Sequence, residues 1–95
     1  MLGTKEILKE RGSAYGSYLE GCKLRVTLME ALTKVYLQHN NKPMPSIDIV
    51  RLYDLVHKLS RLAAAPRHID SWQDIEGYSK LSIASIKEDM NADQQ

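Results

Sequence analysis

The fold is decided by the stretch SIDIVRLYDLVHKLSRLAAAPRHIDSW, which spans residues 46–72. Its apolar residues recur at spacings of three and four, which is the period of an amphipathic helix. One side of this helix carries Ile49, Leu52, Leu55, Val56, Leu59, Leu62 and Ala63. Pro66 cannot continue a helix, and a serine or aspartate after it is typical of the start of the next one. The stretch therefore predicts a helix over residues 46–65, capped by Ser46, a break at Pro66, and a further helix from residue 70 or 71.

The segment before this stretch predicts a longer helix over residues 18–39 with a much wider apolar surface. Only a narrow polar strip interrupts that surface, formed by Glu20, Lys23, Thr27, Glu30 and Lys34. A chain of 95 residues has little other material with which to cover so much apolar surface. We therefore expect a second chain to pack against this helix.

The period-two alternation of a β-strand is nearly absent, so the sequence predicts an all-α fold. We expect a small bundle of three to four helices, assembled as an oligomer, with a short first helix over residues 4–11. Residues 1–90 are expected to form a single domain. Residues 91–95 are expected to be a disordered tail.

Composition excludes several classes of function. There are 13 basic and 12 acidic residues, for a net charge of +1, and nucleic-acid binding usually needs a clear basic surplus, so we expect no nucleic-acid partner. No run approaches the roughly 20 apolar residues of a membrane span, and residues 1–10 lack the apolar run of a signal peptide. Cys22 is the only cysteine, which is typical of a reducing compartment. We therefore expect a cytoplasmic protein with no membrane partner.

The candidate site lies where the two later helices meet. Asp70 and Asp74 are four residues apart, on one side of a helical turn, where their carboxylates could share Mg²⁺, with Asp54 as a third ligand. Lys58 and Arg61 precede them on the other helix and could bind the phosphates that the metal bridges. The alternative is that the acidic residues only cap their helix, and that the polar face of the 46–65 helix is solvated and laced by salt bridges such as Asp54 with Lys58.

Further ligand contacts are expected from Arg25 and from aromatic rings. Arg25 falls inside the apolar arc of its helix, where a guanidinium needs an acidic partner or a bound anion. The alternative is that its stem lies along the surface and its head reaches water. Tyr15, Trp72 or Tyr78 could supply a flat surface for a base.

Two segments carry a family resemblance. ERGSAYG, residues 10–16, resembles the RG-x-x-YG opening of small phage-encoded MazG-like proteins. KLSRL, residues 58–62, together with HIDSWQDIEGY, residues 68–78, is similar to their K-L-x-R … D-x-x-x-D-I-x-G-Y segment. The resemblance covers roughly residues 9–81.

The resemblance implies an all-α fold whose helices pair between subunits, and Mg²⁺-dependent hydrolysis of nucleoside triphosphates to monophosphate and pyrophosphate. Catalytic MazG proteins carry an E-E-x-x-E motif on one helix and E-x-x-D on a later one. Asp74 can stand for the last aspartate, with Asp70 nearby, but Ser71 occupies the position three before it. No adjacent pair of glutamates occurs anywhere in the chain, so the first motif has no counterpart.

Three functions remain open at this point. The first is an enzyme in which Asp70 and Asp74 hold Mg²⁺ as catalytic residues while Lys58 and Arg61 stabilise a polyphosphate. The second is a binding module that sequesters a host signalling nucleotide through Arg25, Lys58, Arg61 and an aromatic ring. The third is a structural or inhibitory protein whose apolar helix packs on itself or on a host protein. We favour a nucleotide or another phosphorylated small molecule as the ligand and a homo-oligomer as the assembly, and rank hydrolysis slightly ahead of binding alone.

Overall fold

The structure, a computed structural model, describes residues 17–94. These residues form three α-helices and no strand: α1 (Tyr18–Asn40), α2 (Ser46–Ala64) and α3 (Ile69–Gln94). The prediction of an all-α fold is therefore confirmed for this part of the chain. The helix expected over residues 4–11 and the candidate aromatic Tyr15 lie outside the described residues. No helix in the described range is long and apolar enough to cross a membrane.

Helix α1 begins and ends with local hydrogen bonds that its sequence supplies. The Ser17 side chain accepts a hydrogen bond of 3.1 Å from the Glu20 backbone N–H, as an N-cap serine does. At the other end Asn41 has φ 55° and donates its backbone N–H to the Leu37 carbonyl at 2.9 Å. Asparagine tolerates this left-handed conformation better than most residues, so α1 ends where the sequence places Asn40 and Asn41.

The starts of α2 and α3 differ from the sequence prediction. Pro45 is the N-cap residue of α2 and no side chain caps this helix, so the prediction that Ser46 is the cap was wrong. Ser71 lies inside α3 rather than before it, only 1% exposed, with its hydroxyl 2.8 Å from His68 Nδ1. Helix α3 begins at Ile69 and continues to Gln94, through most of the segment that the sequence analysis assigned to a tail.

The three helices form a layer with α2 in the centre. Arg25 near the start of α1 contacts Ser60 near the end of α2, so these helices run antiparallel. Arg51 near the start of α2 pairs with Asp89 near the end of α3, at 3.1 Å, so this pair is also antiparallel. No Cα atom of α1 comes within 8 Å of a Cα atom of α3. Both outer helices therefore pack on α2 and not on each other.

This layer buries little apolar surface. Val56 and Leu62 are the only buried hydrophobic residues in the described part of the chain, and α1 contains no buried residue. Large apolar side chains with more than a third of their surface exposed occur on all three helices, and include Leu19, Val26, Val35, Leu37, Val50, Leu59, Trp72, Ile83, Ile86 and Met90. The wide apolar surface predicted for α1 is thus not covered within the described chain.

Helix α2 has two open sides with different chemistry. Leu52, Leu59 and Ala63 form one side, which we call the apolar stripe. Asp54, His57 and Arg61 form the opposite side, which we call the polar stripe. Val50 lies four residues before Asp54 and continues the polar stripe towards the start of α2.

Candidate functional site

The structure brings together two of the residues predicted from sequence, Lys58 on α2 and Asp74 on α3. The Lys58 ammonium lies 2.8 Å from the Asp74 carboxylate. The Lys58 side chain is only 10% exposed, whereas that of Asp74 is 48% exposed. An ammonium group removed from water needs a compensating partner, and Asp74 supplies it. The pair thereby joins the end of α2 to the start of α3.

Asp74 is surrounded by positive charge. The hydrogen bond from Lys58 is the main reason that the pKa of Asp74 is lowered, and burial is the second-largest effect and opposes the shift. The charges of Lys58, Arg61 and His68 lower this pKa further. Asp74 is therefore ionised at neutral pH.

Arg25 shows the clearest charge imbalance in the described part of the chain. One guanidinium nitrogen donates to the Ser60 hydroxyl at 3.4 Å, and the other donates to the Cys22 sulfur at 3.2 Å. The guanidinium carbon also lies 5.9 Å from the centre of the Tyr18 ring, within cation–π range. All three partners are neutral. The half-buried guanidinium is therefore held in place without a carboxylate from residues 17–94.

A stacked pair of rings, missed by the sequence analysis, adjoins these cations. The rings of Tyr53 and His57 have centroids 6.3 Å apart and an interplanar angle of 17°. Burial lowers the pKa of His57, and the charges of Arg61, Arg25 and Lys58 lower it further, against a smaller opposing effect of Asp54. His57 is therefore a neutral imidazole at pH 7. The i,i+4 spacing of Tyr53 and His57 on α2 was the signal that could have revealed this pair.

Within the described residues of one chain, the three predicted carboxylates are not gathered into one cluster. No group of three or more His, Cys, Asp or Glu side chains within the described range is arranged to hold a metal ion, so Asp54, Asp70 and Asp74 do not share a site. The Asp74 carboxylate pairs with the Lys58 ammonium. Asp54 lies on α2, close enough to His57 to oppose the lowering of its pKa. Mg²⁺ prefers several oxygen ligands in octahedral geometry, and this donor set does not match that requirement.

The two predicted aromatic residues of α3 occupy different sides of that helix. Trp72 precedes Asp74 by two residues, which corresponds to a rotation of about 200° around a helix. Its indole N–H donates to the Pro66 carbonyl at 2.9 Å, and half of the side chain is exposed. Tyr78 follows Asp74 by one turn and is half-buried. Tyr78 therefore lies on the same side as Asp74, whereas Trp72 does not.

A shallow cavity of about 380 Å³ lies at the other end of the α1–α2 pair. It is lined mainly by apolar side chains near the connecting turn, among them Leu37, Met44 and Ile49. The cavity contains none of the cations described above. The candidate site is thus an open surface formed by Arg25, Lys58 and Arg61, whose positive charges all act on the neutral His57, and we call these four residues the cationic surface.

Comparison of the chain with protein-family models, with curated proteins and with solved structures finds no match. The resemblance to MazG-like proteins therefore stays a prediction from the sequence. Function has to be argued from the geometry of the cationic surface and from the exposed apolar side chains.

Proposed function

We propose that this protein binds a phosphorylated small molecule, of the nucleotide class, on its cationic surface. The observation that carries the proposal is Arg25, a half-buried guanidinium whose partners among the described residues are all neutral. A guanidinium in such surroundings favours an anion, and its planar fork of donors matches the oxygens of a phosphate. The ligand's phosphate supplies the negative charge that the chain around Arg25 does not.

The neighbours of Arg25 support the same ligand class. The charges of Arg61, Arg25 and Lys58 all act on His57, which lies within reach of each of them. Such a cluster attracts an anion carrying more than one charge, since the potentials of the cations add. The stacked rings of Tyr53 and His57 offer a flat apolar surface on which a base can stack beside its phosphates.

Binding without hydrolysis is the form of the proposal that the geometry favours. Hydrolysis to monophosphate and pyrophosphate would require Asp70 and Asp74 to hold Mg²⁺, and the Asp74 carboxylate is already paired with Lys58. Asp74 instead orients the Lys58 ammonium at the edge of the cationic surface. A protein of this kind would sequester its nucleotide rather than turn it over. Mg²⁺-dependent hydrolysis stays a prediction from the sequence.

The proposal also includes a homo-oligomer. Helix α1 has no buried residue, although it carries Leu19, Val26, Val35 and Leu37 among its exposed apolar side chains. Large exposed apolar patches on a protein surface mark sites of association. A second copy of the chain is the simplest partner that would remove it from water.

The ligand proposal is tested by thermal shift and titration calorimetry with nucleoside mono-, di- and triphosphates and with pyrophosphate. We expect at least one nucleotide to raise the Tm, with Mg²⁺ or with EDTA, and to be recovered intact after the complex is denatured. Arg25→Gln should raise the dissociation constant of that nucleotide about tenfold or more, because hydrogen bonds to charged groups contribute about 1.5–3 kcal/mol each.

The matched control is Lys23→Gln, which removes one positive charge from an exposed position on the same helix. We expect it to leave affinity within about twofold, since exposed charges are strongly screened. If no nucleotide shifts the Tm of the wild-type protein, or if both variants weaken binding equally, the assignment of Arg25 as a phosphate ligand is wrong. Recovery of monophosphate and pyrophosphate instead of intact ligand would replace binding with hydrolysis.

A further inference from the structure

The two open sides of the layer differ in how well they could receive another protein. The apolar stripe of α2 carries no charge, and Leu59 in its middle is 45% exposed although it lies on the central helix. The polar stripe carries Asp54, His57 and Arg61. A central helix with an exposed leucine on an uncharged side indicates a surface that the described chain leaves uncovered.

The outer helices extend the apolar stripe on both sides. With about 100° of rotation per residue and antiparallel pairing, one apolar side of α1 and one of α3 lie on the same side of the layer as Leu59. Together these side chains form what we call the apolar face, consisting of Leu24, Leu28, Val35, Leu52, Leu59, Trp72, Ile83, Ile86 and Met90. Val26 and Leu37 of α1 lie on the opposite side of that helix.

We propose that a second copy of this chain covers the apolar face, so that two three-helix layers pack against each other. This inference rests on the homo-oligomer of the proposed function and adds which surface forms the interface. The cationic surface lies on the other side of the layer and stays accessible to its ligand in such an assembly.

The size of the apolar face matches what a stable dimer needs. Six of its side chains, namely Val35, Leu59, Trp72, Ile83, Ile86 and Met90, are each between 41% and 57% exposed. Large apolar side chains at half exposure contribute on the order of 100 Å² each, and standard interfaces bury about 600–1,000 Å² per partner. The six side chains and their half-buried neighbours therefore reach the lower part of that range.

Charge also favours a second copy on this face. In a two-fold symmetric dimer the same patch meets itself, so any charge near its centre would face a like charge. The apolar face has no charged member, which removes that cost. Pairing through the polar stripe would instead remove the charged side chains of Asp54 and Arg61 from water, which costs free energy.

The experiment compares matched substitutions on the two sides of the layer, using the full chain and analytical ultracentrifugation over a wide concentration range. Leu59→Asp places a charge in the apolar face, and Val50→Asp places one on the other side of α2, at a residue that is 56% exposed. Val35→Asp and Val26→Asp form a second pair on α1, where both valines are 55% exposed.

We expect the wild-type protein to sediment as a dimer or a multiple of it. Leu59→Asp and Val35→Asp should raise the dissociation constant about 100-fold or more, because an unpaired carboxylate would have to be buried. Val50→Asp and Val26→Asp should change it less than about threefold. Circular dichroism of each variant checks that its helices are intact, and if Leu59→Asp unfolds, the pair on α1 decides the result.

The outcomes separate the interface from the proposed function. If the wild-type protein associates but only Val50→Asp and Val26→Asp disrupt it, the interface lies on the other face and this inference is wrong, while the homo-oligomer stands. If the wild-type protein is a monomer at every concentration, both the homo-oligomer and this interface are wrong. Ligand binding is then still tested by the comparison of Arg25→Gln with Lys23→Gln. If deleting residues 1–16 turns such a monomer into a dimer, the chain's own N-terminal segment is the occupant of the apolar face.

Discussion

Two arginines of the layer, Arg51 and Arg25, stand in contrasting surroundings. Arg51 lies between the start of α2 and the end of α3, where it pairs with Asp48 and Asp89 at 3.1 Å each and also donates to Ser85. Arg25 lies at the other end of the layer and has only neutral partners among the described residues. Arg51 is paired with two carboxylates and joins two helices, whereas no carboxylate among residues 17–94 pairs with Arg25.

Under the proposed function, this difference separates an arginine that stabilises the fold from one that binds a ligand. A guanidinium that is paired with two carboxylates holds the helices together and attracts a further anion only weakly. A guanidinium that is fixed by neutral groups is already oriented and has lost part of its hydration before a ligand arrives. The following substitutions test this contrast, beginning with the largest expected effect.

Arg51→Met should lower the free energy of unfolding by about 1–3 kcal/mol, since it removes hydrogen bonds to two charged groups and one hydroxyl. Arg25→Gln should change it by less than about 1 kcal/mol, because it removes weak contacts with neutral groups. Urea unfolding of both variants, each compared with the wild-type protein at one fixed concentration, measures the difference. Equal losses of stability would show that Arg25 is structural as well.

Asp74→Asn should lower the Tm at neutral pH, because it leaves the nearly buried Lys58 ammonium without its partner. The pKa of Asp74 is lowered in the folded protein from its usual value of 3.8. Its contribution to stability is therefore fully present above that value and is lost as the pH falls through the lowered pKa. The Tm difference between wild type and variant should be constant near neutral pH and shrink in acid, and a difference independent of pH would contradict the ion pair.

His57→Gln should have the smallest effect, and it should appear only in the pH dependence. The pKa of His57 is lowered in the folded protein from its usual value of 6.5, so the unfolded chain binds the proton more readily. The wild-type protein therefore loses stability as the pH falls from 7 through 6.5 towards the lowered pKa, and the variant lacks this loss. Tm measurements across that range test the sign, and a wild-type protein that gains stability on acidification would refute it.

The helices could be predicted from the sequence because apolar residues recur at spacings of three and four and chain breaks separate each helix from the next. The start of α1 and the breaks at Asn41 and Pro66 depend on local residue chemistry, which a sequence displays. The cap of α2 and the start of α3 were missed for different reasons. Ser46 is preceded by Pro45, which occupies the cap position itself, and the Ser71 hydroxyl is engaged by His68 in a buried contact.

The candidate site could be predicted only in part. The sequence placed cations of α2 close to carboxylates of α3, and Lys58 and Asp74 do meet. The sequence could not show that Asp74 pairs with Lys58. Asp74 was therefore equally compatible with a role as a metal ligand. The contact of Arg25 with Ser60 depends on how the helices pack, and residue spacing alone does not specify which side of α2 faces α1. The stack of Tyr53 on His57 follows from their i,i+4 spacing on one helix and was overlooked.

The absence of close approach between α1 and α3 has a consequence for how the chain folds. Within the described residues, every pair of packed helices consists of neighbours along the sequence, joined by a short turn. Such a topology closes only small loops, which lowers the entropic barrier and favours rapid folding. Either helical hairpin can form first, with α2 as the shared template on which the remaining helix then docks.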